Sequence, residues 1–148
     1  MFQGETAITI DDKGRMSIPT ALRESIASVC GNRMVFTYNP FESGCLWLYP
    51  VRDWEKVRDQ VTTLSEMVAV HRNLRLKLVG AATPADVDGS GRVLIPPSQR
   101  AAAGLDKKAV LLGMGSKFEL WSEAAHLRQI KQAIAESNVS PEMLKLSL

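Results

Sequence analysis

The hydrophobic residues of the chain fall into short runs that are separated by clusters of glycine, asparagine and serine. Residues 35–37 and 45–49 are two such apolar runs on either side of a turn-rich stretch. Residues 109–112 and 117–121 form a second pair around the glycine-rich stretch 113–115. Runs of this length, rich in apolar and aromatic residues and bounded by turn residues, are typical of strands. The pattern therefore predicts two β-hairpins.

Other apolar positions recur at helical spacing. They are Trp54, Val57, Val61 and Leu64 after the first hairpin, and Leu127, Ile130 and Ile134 after the second, where Ser122 is a suitable N-cap. A third stripe comprises Met67, Val70, Leu74 and Leu78. These spacings predict amphipathic helices that bury one side. The third stripe predicts a helical connection over residues 65–79, with His71 as an exposed side chain.

The chain repeats one motif. Residues 11–19 read DDKGRMSIP and residues 88–96 read DGSGRVLIP. A short helical stretch that ends at a glycine follows each copy, and it carries an arginine at the same offset, Arg23 in the first copy and Arg100 in the second. Each half then has the order strand, turn, strand, helix, hairpin, helix, which marks a tandem duplication. We expect an α+β fold with a β-rich core, flanking helices and a pseudo-twofold within the chain. Its predicted modules are 5–52 and 81–124, with a helical connection at 53–80 and a helix and tail at 125–148.

The repeated motif encodes a tight turn. Asp11 and Asp88 stand where a carboxylate accepts hydrogen bonds from backbone N–H groups of the same turn. Gly14 and Gly91 follow three residues later, where a turn that ends in a bulge requires positive φ. These four residues are therefore predicted to shape and support two equivalent reversals of the chain.

Arg15 and Arg92 follow the turn glycines directly, at the predicted start of a strand. A guanidinium group on so rigid a backbone can pair in a bidentate manner with guanine when a two-stranded ribbon enters the DNA major groove. Lys13, at the tip of the first turn, favours phosphate instead. A second interpretation remains open, in which each arginine only braces its turn by an ion pair with Asp11 or Asp88. The two roles are compatible.

Composition narrows the class of protein. The 148 residues are 45% hydrophobic with a formal net charge of +2, and they include two cysteines, Cys30 and Cys45. We expect a soluble, unexported protein of a reducing compartment with both thiols buried, because no long apolar stretch or metal-type cysteine spacing occurs. Because the net charge is so small, any affinity for DNA must come from a few arginines at specific positions. Several subunits that bind together would repeat these contacts.

Catalysis and metal binding are poorly supported. Residues 86–91 resemble the start of a calcium loop, but position twelve is Pro97 and not glutamate. His71 and His126 lie on helical stretches without a nucleophile or carboxylate at recognisable spacing, and His126 is expected to be a partly buried helix residue. We therefore predict a protein that is not an enzyme and that has no cofactor, no metal and no small-molecule substrate.

The sequence resembles the MraZ family, within the AbrB-like swapped-hairpin superfamily. The resemblance spans nearly the whole chain, through residues 1–4, 11–19, 46–50, 54–55, 88–96 and 117–121. It implies two SpoVT-AbrB-like modules and a cytoplasmic, nucleoid-associated regulator of transcription. It also implies a ring-like homo-oligomer on tandem promoter repeats of the division and cell wall gene cluster. Ser90, which replaces the equivalent of Lys13, suggests that the two turns contact DNA unequally.

One alternative of another class remains. The same fold could serve as a self-assembling protein-interaction scaffold that is non-catalytic and binds no DNA. The two hypotheses differ in their response to salt, since phosphate contacts weaken steeply as salt rises and apolar contacts do not. No membrane partner is expected under either hypothesis.

Overall fold

The computed structural model describes residues 1–148 and confirms the predicted α+β class. The strands are β1 (Phe2–Thr9), β2 (Arg15–Ser17), β3 (Met34–Tyr38), β4 (Cys45–Pro50), β5 (Thr83–Pro84), β6 (Arg92–Leu94), β7 (Lys108–Gly115) and β8 (Phe118–Ser122). The helices are α1 (Thr20–Cys30), α2 (Val51–Val61), α3 (Ala69–Arg75), α4 (Pro97–Ala102) and α5 (Glu123–Ile130). A π-helical turn, Leu76–Gly80, continues α3, and two short 3₁₀ turns, Glu136–Asn138 and Met143–Lys145, follow α5.

One antiparallel sheet combines both halves of the chain. Its strand order is β1-β7-β8-β4-β3-β5, and a separate two-stranded ribbon pairs β2 with β6. Along β1, Phe2 lies opposite Gly115 and Thr9 opposite Lys108. Only the hairpins β3–β4 and β7–β8 pair strands of the same half. The two halves therefore share their sheet rather than each folding around a sheet of its own.

The core lies on both faces of this sheet. Because side chains alternate along a strand, Phe36 and Leu48 face the larger cluster of buried residues, while Val35 and Tyr49 face a smaller one. The larger cluster contains buried residues of β2, β6 and α1. It also includes the stacked rings of Phe2 and Phe118, whose centroids are 4.2 Å apart. The smaller cluster holds α2 and the π-helical turn against the sheet.

Most predicted elements are confirmed, with differences in their bounds. Both hairpins form, but residues 113–115 belong to β7 rather than to the loop, because Met114 N–H bonds to the Lys117 carbonyl and closes a tighter turn. Ser122 caps α5 as predicted, accepting a hydrogen bond from Ala125 N–H. Pro19 and Pro96 are the N-caps of α1 and α4.

The predicted apolar stripes are only partly buried. Leu78 is buried, but Met67 lies before the first residue of α3 and is 93% exposed, and Val70 is 67% exposed. In α5 the buried residues are Ala125 and His126, so the predicted stripe of Leu127, Ile130 and Ile134 faces solvent instead. Ile134 lies beyond the end of the helix. Periodicity located these helices and the buried side of α2, where Trp54 and Val61 are buried, but it did not identify the buried side of α5.

The histidines and cysteines have structural surroundings. His126 is buried as expected and is hydrogen-bonded to Glu5 of β1. His71 is half-buried rather than exposed, because it shares the inward side of α3 with Leu74 and Leu78 at i, i+3 and i+7. Cys30 and Cys45 are buried free thiols, as predicted. No helix is long and apolar enough to cross a bilayer.

Candidate functional site

The first turn lies between β1 and β2 and is built around the Asp11 carboxylate. Its Oδ1 accepts hydrogen bonds from the backbone N–H groups of Lys13 and Arg15, both at 2.9 Å. Its Oδ2 accepts one from Arg15 Nε at 3.0 Å. The backbone closes the turn, since Gly14 N–H donates to the Asp11 carbonyl at 3.0 Å, and Gly14 has φ +82°. The carboxylate and the glycine thus have the predicted conformations.

The second turn, between β5 and β6, repeats this arrangement with one difference. Asp88 Oδ1 accepts from the N–H groups of Ser90 and Arg92 at 2.8 and 2.9 Å, and Gly91 has φ +77°. However, Arg92 Nε is 3.9 Å from Asp88 Oδ2, which is beyond hydrogen-bonding distance. Arg92 Nε has no other partner. Arg15 is therefore fixed by its aspartate and Arg92 is not.

Both carboxylates are held in the ionised form. The pKa of Asp11 lies below its ordinary value, chiefly because the backbone N–H of Arg15 donates to the carboxylate. The pKa of Asp88 is lowered mainly by the backbone N–H of Arg92, and the positive charge of Arg15 lowers it further. Arg15 belongs to the first half of the chain and Asp88 to the second. The positive charge of one turn therefore affects the carboxylate of the other.

The two arginines emerge from one ribbon. In the β2–β6 pair, Arg15 lies opposite Leu94, Met16 opposite Val93, and Ser17 opposite Arg92. Met16 and Val93 are fully buried, and alternation along the strands sends Arg15 and Arg92 to the opposite, outer face. Their side chains are 30% and 37% exposed, so each one is partly packed and partly accessible to solvent.

Each turn is also held by the other half of the chain. Ile95 N–H donates to the Gly14 carbonyl at 2.9 Å, and Ile18 N–H donates to the Gly91 carbonyl at 2.8 Å. A Cβ atom on Gly14 would stand 2.6 Å from Arg100 Nη1. The ribbon is therefore a single unit that neither half completes alone.

Arg23 and Arg100 are site residues whose position the sequence did not reveal. Arg23 donates from Nε to the Ile18 carbonyl at 3.0 Å and lies against Gly91, and Arg100 lies against Gly14. No carboxylate is within ion-pair distance of either, as the five ion pairs involve other cations. The two arginines occur at the same offset after the repeated motif, and this was the only indication of them in the sequence. The offset could not show that each arginine packs on the turn of the other half.

Two matching clefts border the ribbon. One, of about 390 Å³, lies between the first turn and α4, and the other, of about 360 Å³, lies between the second turn and α1. Both contain an aspartate of the turn and an arginine of the opposite half, so their charges are mixed. Lys13 and Ser90 are exposed at the turns. No cluster of three or more potential metal ligands occurs in the chain.

Comparison with known proteins gives a consistent result. The family model described as "MraZ protein, putative antitoxin-like" matches residues 1–76 and 78–146. The transcriptional regulator MraZ of Xanthomonas campestris pv. campestris is 56% identical over 148 residues, which is 100% of both chains. The protein of the same name from Marinobacter nauticus is 41% identical over 147 residues, covering 99% of this chain and 98% of that protein. The solution structure of PHS018 from Pyrococcus horikoshii is a distant likeness, with a TM-score of 0.34, 15% identity, and coverage of 82% of this chain and 89% of that one.

Proposed function

Because the chain belongs to the MraZ family of transcriptional regulators, we propose that it controls transcription by binding double-stranded promoter DNA through the β2–β6 ribbon. In this proposal Arg15 and Arg92 contact bases or nearby phosphates, and Lys13 and Ser90 contact the backbone at the turn tips. Asp11 and Asp88, with Gly14 and Gly91, hold the turns in shape. The binding takes place in the cytoplasm, on nucleoid DNA.

The observation that carries the proposal is the outer face of the ribbon. A two-stranded ribbon fits the major groove, and arginine is the side chain best suited to read guanine there. Arg15 and Arg92 project from paired strands whose inner residues, Met16 and Val93, are fully buried. A side chain on such a rigid backbone loses little further conformational freedom on binding, which favours specific contacts.

The small net charge favours a multivalent protein. One protomer with a formal charge of +2 makes few phosphate contacts. Several protomers in one assembly would engage neighbouring DNA repeats at high effective concentration, without any new type of contact. We therefore include self-assembly into a ring-like homo-oligomer, acting on tandem repeats in the promoter of the division and cell wall gene cluster.

A binding titration with matched variants tests this proposal. Arg15→Ala and Arg92→Ala each remove one positive charge from the ribbon, and Arg58→Ala removes one from the exposed surface of α2. With labelled DNA from upstream of the protein's own operon, each ribbon variant should weaken binding by more than the about 5- to 150-fold that one specific contact of about 1 to 3 kcal/mol provides, because every assembled protomer loses that contact. Arg58→Ala should bind like the parent.

Salt separates DNA binding from the scaffold alternative, which the exposed apolar side chains Met67 and Val70 favour. Affinity for the promoter repeats should fall steeply and linearly on a logarithmic salt scale, with a smaller slope for each ribbon variant. If all three alanine variants protect DNA as well as the parent does, the assignment of Arg15 and Arg92 is wrong. If the parent shows no preference for the promoter DNA, the scaffold is the better description.

A further inference from the structure

The outer face of the β2–β6 ribbon carries two residues besides its arginines. Side chains alternate along each strand, and the middle residues of the two strands, Met16 and Val93, are buried. The outer face therefore consists of the four flanking residues, which we call the reading face: Arg15, Ser17, Arg92 and Leu94. Any DNA that the two arginines contact also meets the other two side chains.

The strand register arranges the reading face in two cross-strand pairs. Arg15 lies opposite Leu94, and Arg92 lies opposite Ser17. Residues that face each other in an antiparallel pair have Cβ atoms about 4.5 to 5.5 Å apart. Successive bases of a DNA strand are about 3.4 Å apart along the helix axis. The two members of a pair are thus spaced to reach adjacent base pairs.

The two pairs differ in the residue that accompanies the arginine. Ser17 and Leu94 hold the seventh position of the two copies of the repeated motif, and Arg15 and Arg92 hold the fifth. The register is symmetric about Met16 and Val93, so exchanging the two arginines also exchanges a hydroxyl group with an apolar side chain. A symmetric reading face would favour a palindromic site. The difference between Ser17 and Leu94 therefore gives this face a direction.

Leu94 is uncovered in a place where DNA would cover it. It is 52% exposed, whereas its neighbours along the strand, Val93 and Ile95, are fully buried. Single exposed leucines are common on protein surfaces, but this one stands beside a guanidinium group on the outer face of the ribbon. In the major groove, thymine presents a methyl group, which apolar side chains recognise. The hydroxyl of Ser17 both donates and accepts hydrogen bonds, so it makes no comparable selection.

We propose that Leu94 is a specificity-determining residue, which packs on the C5-methyl group of a thymine next to the base pair that Arg15 contacts. The equivalent position beside Arg92 holds Ser17, so each protomer selects thymine on one side of its contact site only. The inference rests on the DNA binding proposed above, to which it adds a base. Tandem repeats, which all run in the same direction, suit a reading face that has a direction itself.

Replacing thymine by deoxyuridine, which lacks the methyl group, tests this contact without altering the protein. Two labelled duplexes have the same sequence from upstream of the protein's own operon, one with thymine and one with deoxyuridine throughout. The parent should bind the deoxyuridine duplex at least about fourfold more weakly, which is the effect of one buried methyl group. Equal affinity for the two duplexes would overturn the proposal.

Leu94→Ser assigns the effect to this residue. The substitution introduces the residue type of the equivalent position, Ser17, at an exposed site, and circular dichroism verifies that the fold is kept. The variant should bind the thymine duplex more weakly than the parent does and should no longer distinguish the two duplexes. A preference for thymine as large as that of the parent would show that another residue covers the methyl group, and it would overturn the assignment.

Leu127→Ser is the matched control for this variant. Leu127 is 50% exposed, close to the value for Leu94, and it lies on α5, which packs on β7 and β8. The control should bind both duplexes as the parent does. Loss of the thymine preference in the control as well would contradict a specific role for Leu94.

Replacing the thymines one at a time locates the base. The sensitive thymine should lie next to a G·C base pair, because Arg15 is opposite Leu94 and guanine is the base that arginine recognises best. A sensitive thymine without a neighbouring G·C pair would overturn the pairing of Leu94 with Arg15.

The outcomes separate this inference from the function on which it rests. If Arg15→Ala weakens binding but deoxyuridine has no effect, the role of Leu94 fails and DNA binding by the ribbon stands. If the parent does not bind the promoter duplex, both proposals fail. Light scattering after size exclusion should give Leu94→Ser the same mass as the parent. A smaller assembly would overturn the proposal, because Leu94 would then be a contact between protomers.

Discussion

The guanidinium group of Arg100 lies so close to Gly14 that a Cβ atom on residue 14 would stand 2.6 Å from Nη1. The same relationship joins Arg23 to Gly91, where a Cβ atom would stand 2.5 Å from Cζ. In both pairs the arginine comes from one half of the chain and the glycine from the other. The positive φ of each glycine and the arginine stacked on it therefore depend on one another.

Gly14→Ala is expected to destabilise the protein by about 1 to 3 kcal/mol, because alanine at positive φ is strained and its methyl group displaces Arg100. Gly104→Ala is the matched control, since Gly104 has φ +66° and open space around it. Urea unfolding should show a larger loss for Gly14→Ala than for Gly104→Ala.

A double variant isolates the contact between these residues. Arg100→Ala should partly relieve the effect of Gly14→Ala, so that the two changes are less than additive. Additive effects would mean that the guanidinium does not constrain the turn. Gly89→Ala, at an open position without positive φ, should be close to neutral.

The two turn aspartates should make stability dependent on acid pH. Their pKa values are lowered on folding, so each contributes stability that is fully present above the ordinary value of 3.8. That contribution is lost as the pH falls from 3.8 through the lower pKa of the folded state. The advantage of the parent over Asp11→Asn or Asp88→Asn in urea unfolding should therefore shrink across this acid range.

Asp12→Asn provides the comparison for that experiment. Asp12 is the exposed neighbour of Asp11 and accepts no hydrogen bond from the turn. At neutral pH Asp12→Asn should change the free energy of unfolding less than Asp11→Asn does, because it removes no hydrogen bond of the turn. A difference between the parent and Asp11→Asn that stays constant as the pH falls would show that the Asp11 carboxylate does not act through its ionised form.

Glu119 joins two tryptophans across the sheet, and its removal should be costly. Its Oε2 accepts from Trp47 Nε1 at 2.8 Å, and its Oε1 accepts from Trp121 Nε1 at 3.0 Å. Glutamine can accept only one of these bonds, so Glu119→Gln should destabilise the protein by about 1 to 3 kcal/mol and alter the tryptophan fluorescence of the folded state. Glu55→Gln, on the exposed side of α2, is the control and should change neither the stability nor the fluorescence.

The native thiols should react slowly. Burial raises the pKa of both Cys30 and Cys45, and the thiolate is the reactive form. A thiol-specific chromogenic reagent should therefore label Cys30 and Cys45 only after the protein is unfolded in denaturant. Ser43→Cys should add one fast-reacting thiol to the folded protein, and fast labelling of the parent would contradict the burial of the native pair.

Local chemistry explains why the two turns could be predicted. Asp11, Gly14 and Arg15 are neighbours in sequence, and the hydrogen bonds that shape the turn join residues no more than four apart. The same holds for the N-cap at Ser122. The conformations of these residues follow from short-range geometry, so composition and spacing sufficed to find them.

The sequence by itself thus determined the element order, the two turns and the arginines that follow them, because each of these depends on contacts between near neighbours. The tertiary structure decided that β2 pairs with β6 and β1 with β7, that Arg100 lies on Gly14, and that Val70 stays exposed while His71 is half-buried. These outcomes depend on how the apolar faces of the two halves exclude water together. Burial of that kind is non-directional and depends on every face at once, so no short stretch of sequence specifies it.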